Sequence, residues 1–193
     1  MATQIYLLRH GETAWSLTGQ HTGRTDLPLT ASGEKRAAQL GDRLRGVNFA
    51  QVLTSPLQRA RHTGELAGLG GAARLAPDLR EWDYGDYEGR TSAEIHAQRP
   101  GWNVFQDGCP HGESVEQISL RADRMVGTLR ALDGAVAVFS HGHFLCALAV
   151  RWLGLPVSDG RHFTLNTASL SILGYEHSGG EPPAVTLWNS GNV

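Results

Sequence analysis

Histidine and arginine side chains follow three apolar stretches of this chain, at the point where each stretch ends. Arg9 and His10 come directly after "IYLL", and His141 comes after "AVAVFS". Arg59 lies in the predicted first turn of the helix that follows "QVLTSP". In open α/β sheets the ligand crevice lies beyond the carboxyl ends of the strands, and a buried arginine is rare unless it is paired. We therefore expect these side chains to converge on one pocket for an anion.

The residue types in this predicted pocket suit phosphoryl transfer without a metal. Arg9 and Arg59 can make charge-assisted, bidentate bonds to a phosphate or a sulfate. Because an unperturbed histidine has a pKa of about 6.5, either His10 or His141 can attack phosphorus while the other stabilises the equatorial oxygens. Phosphoryl transfer asks the protein mainly for positioning and positive charge, and this set supplies both.

Plainer interpretations and one rival chemistry compete with this pocket. A lone strand-end histidine is usually a hydrogen-bonded structural residue, and Arg59 alone would fit a solvated helix face. The HxH spacing of His141 and His143 is compatible with a metal site, but the chain has no HExxH motif and no cysteine cluster. It also lacks GxxxxGK[ST], which excludes a P-loop nucleotide site. The same arrangement, a histidine or arginine after an apolar strand, occurs three times, and this repetition favours the anion pocket.

The bulk composition is that of one globular domain. The 193 residues are 40% hydrophobic and 19% charged, and the formal net charge of -2 argues against a nucleic-acid partner. No stretch resembles a signal peptide or a membrane span, so we expect a cytoplasmic protein with no membrane partner. Cys109 and Cys146 are far apart, and we expect two free buried thiols.

Apolar strands alternate with amphipathic stretches along the chain, which predicts an α/β fold with a mostly parallel central sheet flanked by helices in three layers. The predicted strands are residues 4–8, 50–56, 135–140, 169–175 and 184–189, with residues 73–79 as a short strand or an extended link. The predicted helices lie within residues 27–47, 57–69, 113–132 and 143–154. Pro56 suits the first turn of the second helix. Residues 82–112 are rich in Gly, Trp and Pro and are expected to form a loop-rich insertion over the active site, with a short helix near 91–98, inside a single domain of residues 1–193.

Five motifs in order resemble branch 1 of the histidine phosphatase superfamily. They are "LLRHGETAW", "SPLQRARHT", "EWDYGDYEG", "GESVEQ" and "SHGH", and the resemblance runs from residue 5 to about residue 154. That family includes the cofactor-dependent phosphoglycerate mutases and many small phosphatases. The resemblance implies the phosphoglycerate mutase-like fold.

The family pattern implies a role for each matching residue. His10 aligns with the nucleophile that becomes phosphohistidine, and Glu81 aligns with the proton donor to the leaving oxygen. The rest of the phosphate pocket aligns with Arg9, Arg59 and His141. Substrate contacts are implied for Thr22, Gly23, Gly142 and His143. For Thr13 and Ser16 a substrate contact and plain turn chemistry are equal alternatives, and Trp82 and Tyr84 are candidates for a pocket wall or for the core.

Departures from the mutase pattern favour hydrolysis. Ser16 stands where mutases carry Asn, His21 stands where they carry Arg, and Lys35 is the chain's single lysine. The groups that hold the carboxylate of a three-carbon acid in mutases are therefore missing. The motifs look similar to those of broad-specificity acid phosphatases and of the fungal sedoheptulose-1,7-bisphosphatase type.

The expected function is that of a phosphomonoester hydrolase, an acid phosphatase-type enzyme that acts on sugar phosphates through a phosphohistidine. It needs no metal or organic cofactor, and its partner is a small-molecule phosphate ester. The first alternative is a phosphoglycerate mutase primed with 2,3-bisphosphoglycerate. The second is a catalytically silent phosphate-binding module. The apolar C-terminal strands would either cover an edge of the sheet or pair two subunits into a homodimer.

Overall fold

The computed structural model describes residues 3–177 and 182–191 and contains one six-stranded sheet. Its strands are β1 (Gln4–Arg9), β2 (Phe49–Thr54), β3 (Ala73–Leu75), β4 (Ala135–Ser140), β5 (Leu170–Tyr175) and β6 (Pro183–Ser190). The strand order is β3-β2-β4-β1-β5-β6. The first four of these pair in parallel, whereas β5 is antiparallel to β1 and to β6. The expectation of a mostly parallel sheet is confirmed.

Seven α-helices pack around this sheet in the described residues. They are α1 (Ala14–Thr18), α2 (Ala31–Leu44), α3 (Gln58–Leu66), α4 (Ser92–Gln98), α5 (Val104–Asp107), α6 (Val115–Arg130) and α7 (Gly142–Trp152). Helices α2 and α3 contribute to the apolar cluster on one face of the sheet. Helices α6 and α7 contribute to the larger cluster on the other face. The predicted three layers are therefore observed.

Both faces of the central strands are buried, as a parallel sheet requires. On β1, Ile5 and Leu7 belong to the α6–α7 side and Leu8 belongs to the α2–α3 side. On β4, Val138 and Phe139 are divided between the two sides in the same way. Because successive side chains of a strand point to opposite faces, each central strand stabilises both layers at once.

Local rules explain where the helices begin. The hydroxyl of Thr30 accepts from Gly33 N and caps the start of α2. The prediction for Pro56 was wrong: α3 begins at Gln58, with Leu57 as its N-cap, so Pro56 lies outside the first turn. Leu57 has no capping side chain, and Asp26 from a distant loop accepts from Gln58 N instead (2.8 Å).

The middle of the chain has more regular structure than the sequence indicated. The predicted helix near 91–98 is α4, held by a capping box between Thr91 and Glu94. Helices α1 and α5 were not predicted, because runs of five and four residues carry too little periodicity. Residues 82–105 pack with α6 and α7 in the larger cluster. Within residues 3–177 and 182–191 we find no helix with the length and apolar character needed to cross a membrane.

Candidate active site

Three parallel strands end side by side and bring the predicted catalytic residues together. Arg9 pairs with Ser140 across β1 and β4, and His10 N donates to Ser140 O (3.0 Å). Ser55 N donates to Phe139 O (2.9 Å) at the end of β2. The residues that follow these strands are therefore neighbours, and the ring centroids of His10 and His141 lie 5.1 Å apart.

His10 is held in the protonation state that a nucleophile needs. Its Nδ1 lies 2.7 Å from the carbonyl oxygen of Gly11, and because a carbonyl only accepts, Nδ1 carries the proton and Nε2 keeps its lone pair. Burial, followed by the charges of Arg59 and Arg9, lowers the pKa of His10 well below its usual value. The side chain is 4% exposed. His10 is thus a neutral imidazole with Nε2 available for attack.

Arg9 presents an unsatisfied donor at the same place. Its Nη1 donates to the carbonyl of Leu165, whereas its buried Nε has no hydrogen-bond partner among the described residues. A buried, unpaired guanidinium nitrogen is costly unless an anion completes it. Gly142 makes this position accessible, because a Cβ there would lie 3.2 Å from Arg9 Cζ. The arrangement fits an oxyanion bound between Arg9 and His10.

Arg59 and His141 lie deeper than the sequence suggested. Both are fully buried, and Arg59 Nε donates to His141 Nδ1 (3.1 Å). Since Nδ1 accepts, His141 Nε2 carries the proton and donates to Ser55 Oγ (2.8 Å). The other guanidinium nitrogens of Arg59 donate to three backbone carbonyls, those of Thr22, Gly23 and Thr25. In this structure Arg59 therefore orients His141 and the 22–25 loop, and it adds positive charge beside His10.

Three backbone N–H groups hold the carboxyl group of Glu81, two of them at the start of α7 and one from the next residue in the chain. Its Oε1 accepts from Trp82 N (2.9 Å) and Phe144 N (2.9 Å), and its Oε2 accepts from His143 N (3.1 Å). Each carboxyl oxygen has two lone pairs, so Oε1 is fully used and Oε2 has room for a proton. Glu81 is 8% exposed and also lines the cavity described next.

A cavity of about 350 Å³ opens beside His10. Its lining includes eight of the predicted residues, namely Arg9, His10, Ser16, Thr22, Glu81, Tyr84, Gly142 and His143. The residues that sequence analysis missed are Gly19, Gln20, His21, Cys146, Phe163, Thr164 and Leu165. The loop after α7 carries no motif that could have indicated residues 163–165. Arg59 and His141 do not line the cavity.

Two neutral histidines form one wall of this cavity. Tyr84 Oη and His143 Nδ1 lie 2.6 Å apart, and the ring of His21 lies 4.8 Å from that of Tyr84. Burial and the charge of Arg9 lower the pKa of His143 to about 4. Burial and the neighbouring His143 likewise lower the pKa of His21 to about 4. At neutral pH this wall offers hydrogen bonds and no charge.

Three predicted substrate contacts lie elsewhere. Thr13 is buried, and its hydroxyl caps α1 by accepting from Ser16 N (3.2 Å), which is the contact that turn chemistry predicts. Trp82 is fully buried in the core and donates to Glu113 O (3.0 Å). Gly23 does not line the cavity, since its N–H donates to Glu88 and a Cβ there would lie 2.5 Å from Trp82 O. Thr22 does line the cavity, and its hydroxyl donates to Gln20 O.

The HxH pair has other partners than a metal in this structure. The nitrogens of His141 bond to Arg59 and Ser55, and Nδ1 of His143 bonds to Tyr84. In the part of the chain that the structure describes, no group of three His, Cys, Asp or Glu residues has the geometry to hold a metal ion. Cys109 and Cys146 are both free and buried, as expected.

Comparison with known proteins gives a consistent result. Residues 5–190 match the family described as the histidine phosphatase superfamily, branch 1. An acid phosphatase of Mycobacterium tuberculosis is 43% identical over 178 residues, covering 90% of this chain and 87% of that protein. The sedoheptulose 1,7-bisphosphatase of Saccharomyces cerevisiae is 32% identical, with 97% and 93% covered. A solved structure of a Mycobacterium tuberculosis open reading frame superposes with a TM-score of 0.92 at 40% identity, with 98% of each chain covered. This chain therefore belongs to branch 1 of the histidine phosphatase superfamily.

Proposed function

We propose that this protein is a phosphomonoester hydrolase that works through a phosphohistidine on His10, with sugar phosphates as its substrates. The observation that carries the proposal is the His10–Gly11 hydrogen bond, which keeps Nε2 unprotonated in a cavity that Arg9, with its unpaired Nε, also lines. Relatives named acid phosphatase and sedoheptulose 1,7-bisphosphatase support the substrate class. The proposed enzyme is an acid phosphatase-type phosphomonoesterase that uses no metal.

The first half-reaction transfers the phosphoryl group to the protein. His10 Nε2 attacks phosphorus in line, and the bond from phosphorus to the ester oxygen breaks. Arg9 binds the equatorial oxygens, and the buried positive charge of Arg59 near His10 stabilises the anion. The protonated carboxyl of Glu81 gives its proton to the leaving alkoxide, which departs as the alcohol.

The second half-reaction returns the protein to its starting state. The carboxylate of Glu81 takes a proton from a water molecule as that water attacks the phosphohistidine. The bond between Nε2 and phosphorus breaks, and inorganic phosphate leaves. The oxygen with room for the proton is Oε2, because Oε1 already accepts two backbone hydrogen bonds.

The cavity lining favours hydrolysis over the mutase alternative. Arg9 is the one arginine or lysine among the described residues that line the cavity. The neighbouring His21 and His143 are uncharged at neutral pH, because their pKa is lowered to about 4. A three-carbon acid would therefore find no second cation for its carboxylate. Polar neutral side chains such as Ser16 and Gln20 suit the hydroxyl groups of a sugar.

Two measurements test the proposal. The protein is incubated with a labelled phosphomonoester and EDTA and then quenched in alkali, which preserves phosphohistidine. We expect label on the wild type and none on His10→Gln, with turnover unaffected by EDTA. Equal labelling of His10→Gln, or loss of turnover on chelation with recovery on adding a metal, would contradict the mechanism. Interconversion of 3- and 2-phosphoglycerate faster than phosphate release would favour the mutase instead, and binding without turnover would favour the silent module.

Localisation in the cytoplasm and pairing into a homodimer stay predictions. In the described structure β6 forms an edge of the sheet, which leaves one side of that strand for a second chain. Sedimentation of the purified protein at several concentrations would give the oligomeric state.

A further inference from the structure

A buried arginine on α6 contacts the segment that carries Glu81. Arg121 is 7% exposed, and it donates through Nε and Nη2 to the carboxylate of Glu113 (2.8 and 2.6 Å). Its remaining donors reach three successive parts of the neighbouring backbone, the carbonyls of Asp78, Arg80 and Glu81 (2.8, 2.6 and 3.2 Å). All five N–H groups of a guanidinium are thereby used.

Glu113 holds the same segment from its other side. Its Oε2 accepts from Asp83 N (2.9 Å), and its backbone carbonyl accepts from Trp82 Nε1 (3.0 Å). The Arg121–Glu113 pair therefore contacts the chain before residue 81, at residue 81 and after it. Residue 81 cannot shift along the chain direction without breaking several of these bonds.

The same guanidinium also packs on the helix turn that binds the Glu81 carboxyl. Arg121 Cζ lies 4.4 Å from the ring centroid of Phe144. Phe144 N is one of the two donors to Glu81 Oε1. One side chain thus touches both the backbone of Glu81 and the residue that orients its carboxyl group.

Stability alone does not require an ion pair at this place. Replacing a buried ion pair by well-packed apolar side chains is often neutral or stabilising, because desolvation of two charges offsets their attraction. The planar fork of an arginine, in contrast, fixes several acceptors in one geometry. Such precision matters at a proton donor, where a misplacement of about 1 Å can cost on the order of 100-fold in rate.

We infer that Arg121, anchored by Glu113, is a positioning residue that fixes the carboxyl of Glu81 relative to the phosphate site. This inference rests on the proposed role of Glu81 as the proton donor. Arg121 acts through Glu81 and does not touch the substrate. Its loss should therefore slow phosphoryl transfer from esters whose leaving group needs a proton and spare transfer from esters whose leaving group does not.

The experiment compares substrates with good and poor leaving groups. For Arg121→Met we expect kcat/KM, which reports on phosphoryl transfer to His10 and excludes the hydrolysis step that both substrates share, to fall about 100-fold on glycerol 3-phosphate and less than 5-fold on p-nitrophenyl phosphate. Arg121→Lys and Glu113→Gln should show the same split at about 10-fold. They keep part of the hydrogen bonding, so they carry the test if Arg121→Met does not fold.

Arg130→Met is the matched control. Arg130 lies on the same helix, stacks over Trp152 (5.1 Å) and donates to Trp152 O (2.8 Å), and neither of these contacts involves residues 78–83. Its replacement should leave the ratio of the kcat/KM values for the two substrates unchanged. If the Arg121 and Glu113 variants lose activity equally on both substrates while Glu81→Gln shows a clear split, the inference about Arg121 is wrong and the proton-donor role of Glu81 stands. If Glu81→Gln shows no split either, the proton-donor assignment fails and the inference falls with it.

Discussion

Replacing Gly142 by alanine tests whether the guanidinium of Arg9 must lie where the structure places it. A Cβ on residue 142 would lie 3.2 Å from Cζ of Arg9, 3.3 Å from Nε and 3.4 Å from Nη1. Optimal contacts between carbon atoms are about 3.5–4.0 Å, so the guanidinium has to retreat by about 0.5 Å. The retreat strains its bond to the carbonyl of Leu165.

We expect Gly142→Ala to weaken anion binding without lowering the free energy of unfolding. A hydrogen bond to a charged group contributes about 1.5–3 kcal/mol, and a guanidinium displaced from the phosphate loses most of one such bond. We therefore expect kcat/KM to fall by about 10- to 100-fold. Stability should be unchanged or slightly higher, because alanine is favoured over glycine in a helix by up to about 1 kcal/mol.

Gly127→Ala is the matched control for this substitution. Gly127 lies within α6, and a Cβ there meets nothing within 4 Å. We expect this variant to gain about 1 kcal/mol of unfolding free energy at wild-type activity. Steady-state kinetics on a sugar phosphate and thermal unfolding are measured for both variants and the wild type. The inhibition constant of inorganic phosphate, which reports on the same anion site, should rise for Gly142→Ala alone.

The reasoning is refuted by a folded Gly142→Ala protein with kcat/KM and phosphate inhibition within twofold of the wild type. Such a result would show that the oxyanion does not depend on the observed position of Arg9. A loss of activity accompanied by a large drop in Tm would also contradict the expectation, since the clash is confined to one flexible side chain.

Two further predictions concern residues near the cavity. The pKa of His143 is lowered to about 4 by burial and by Arg9, so the unfolded chain binds more protons below pH 6.5. The free energy of unfolding should fall as the pH is lowered from about 6.5 to 4, by about 2 kcal/mol from this residue. Urea unfolding at pH 7 and 4.5 should show a smaller fall for His143→Gln than for the wild type. Thr13→Ala removes the cap on Ser16 N and should cost about 1 kcal/mol, seen as a Tm lower by about 2–4 °C with kcat/KM within twofold.

Each of these predictions has a control and a contrary outcome. An identical pH dependence in wild type and His143→Gln would show that this ring is not the group that titrates. Thr13→Ser keeps the capping oxygen and should restore the Tm. A large loss of kcat/KM in Thr13→Ala at an unchanged Tm would mean that Thr13 contacts the substrate after all.

The strands and helices were predictable wherever a local pattern is long enough. The continuous apolar run of β4 and the stripe of Ala37, Leu40 and Leu44 on α2 are each determined by neighbours within a few residues. Helices α1 and α5 and the exact start of α3 were not predictable, because a short helix is stabilised mainly by tertiary contacts. The bond from Gln58 N to Asp26, 32 residues away, is such a contact.

By itself the sequence determined which residue types are available for chemistry at the ends of the strands. Arg9 and His10 at one strand end and His141 at another supply cations and imidazoles, and parallel pairing necessarily brings those ends together. The site residues at motif positions stay predictions of role, but their types already favour an anionic ligand, and the order of the motifs favours a phosphate ester.

Only the tertiary structure decided how those groups are held. Arg9 donates to Leu165, 156 residues away, and Glu81 is oriented by N–H groups of His143 and Phe144, which lie 62 and 63 residues away. Contacts between residues so far apart in the sequence depend on how the layers pack, and that packing also sets the direction of each side chain. For the same reason the sequence left Thr13 open between a substrate contact and a turn, and the structure shows its hydroxyl capping α1.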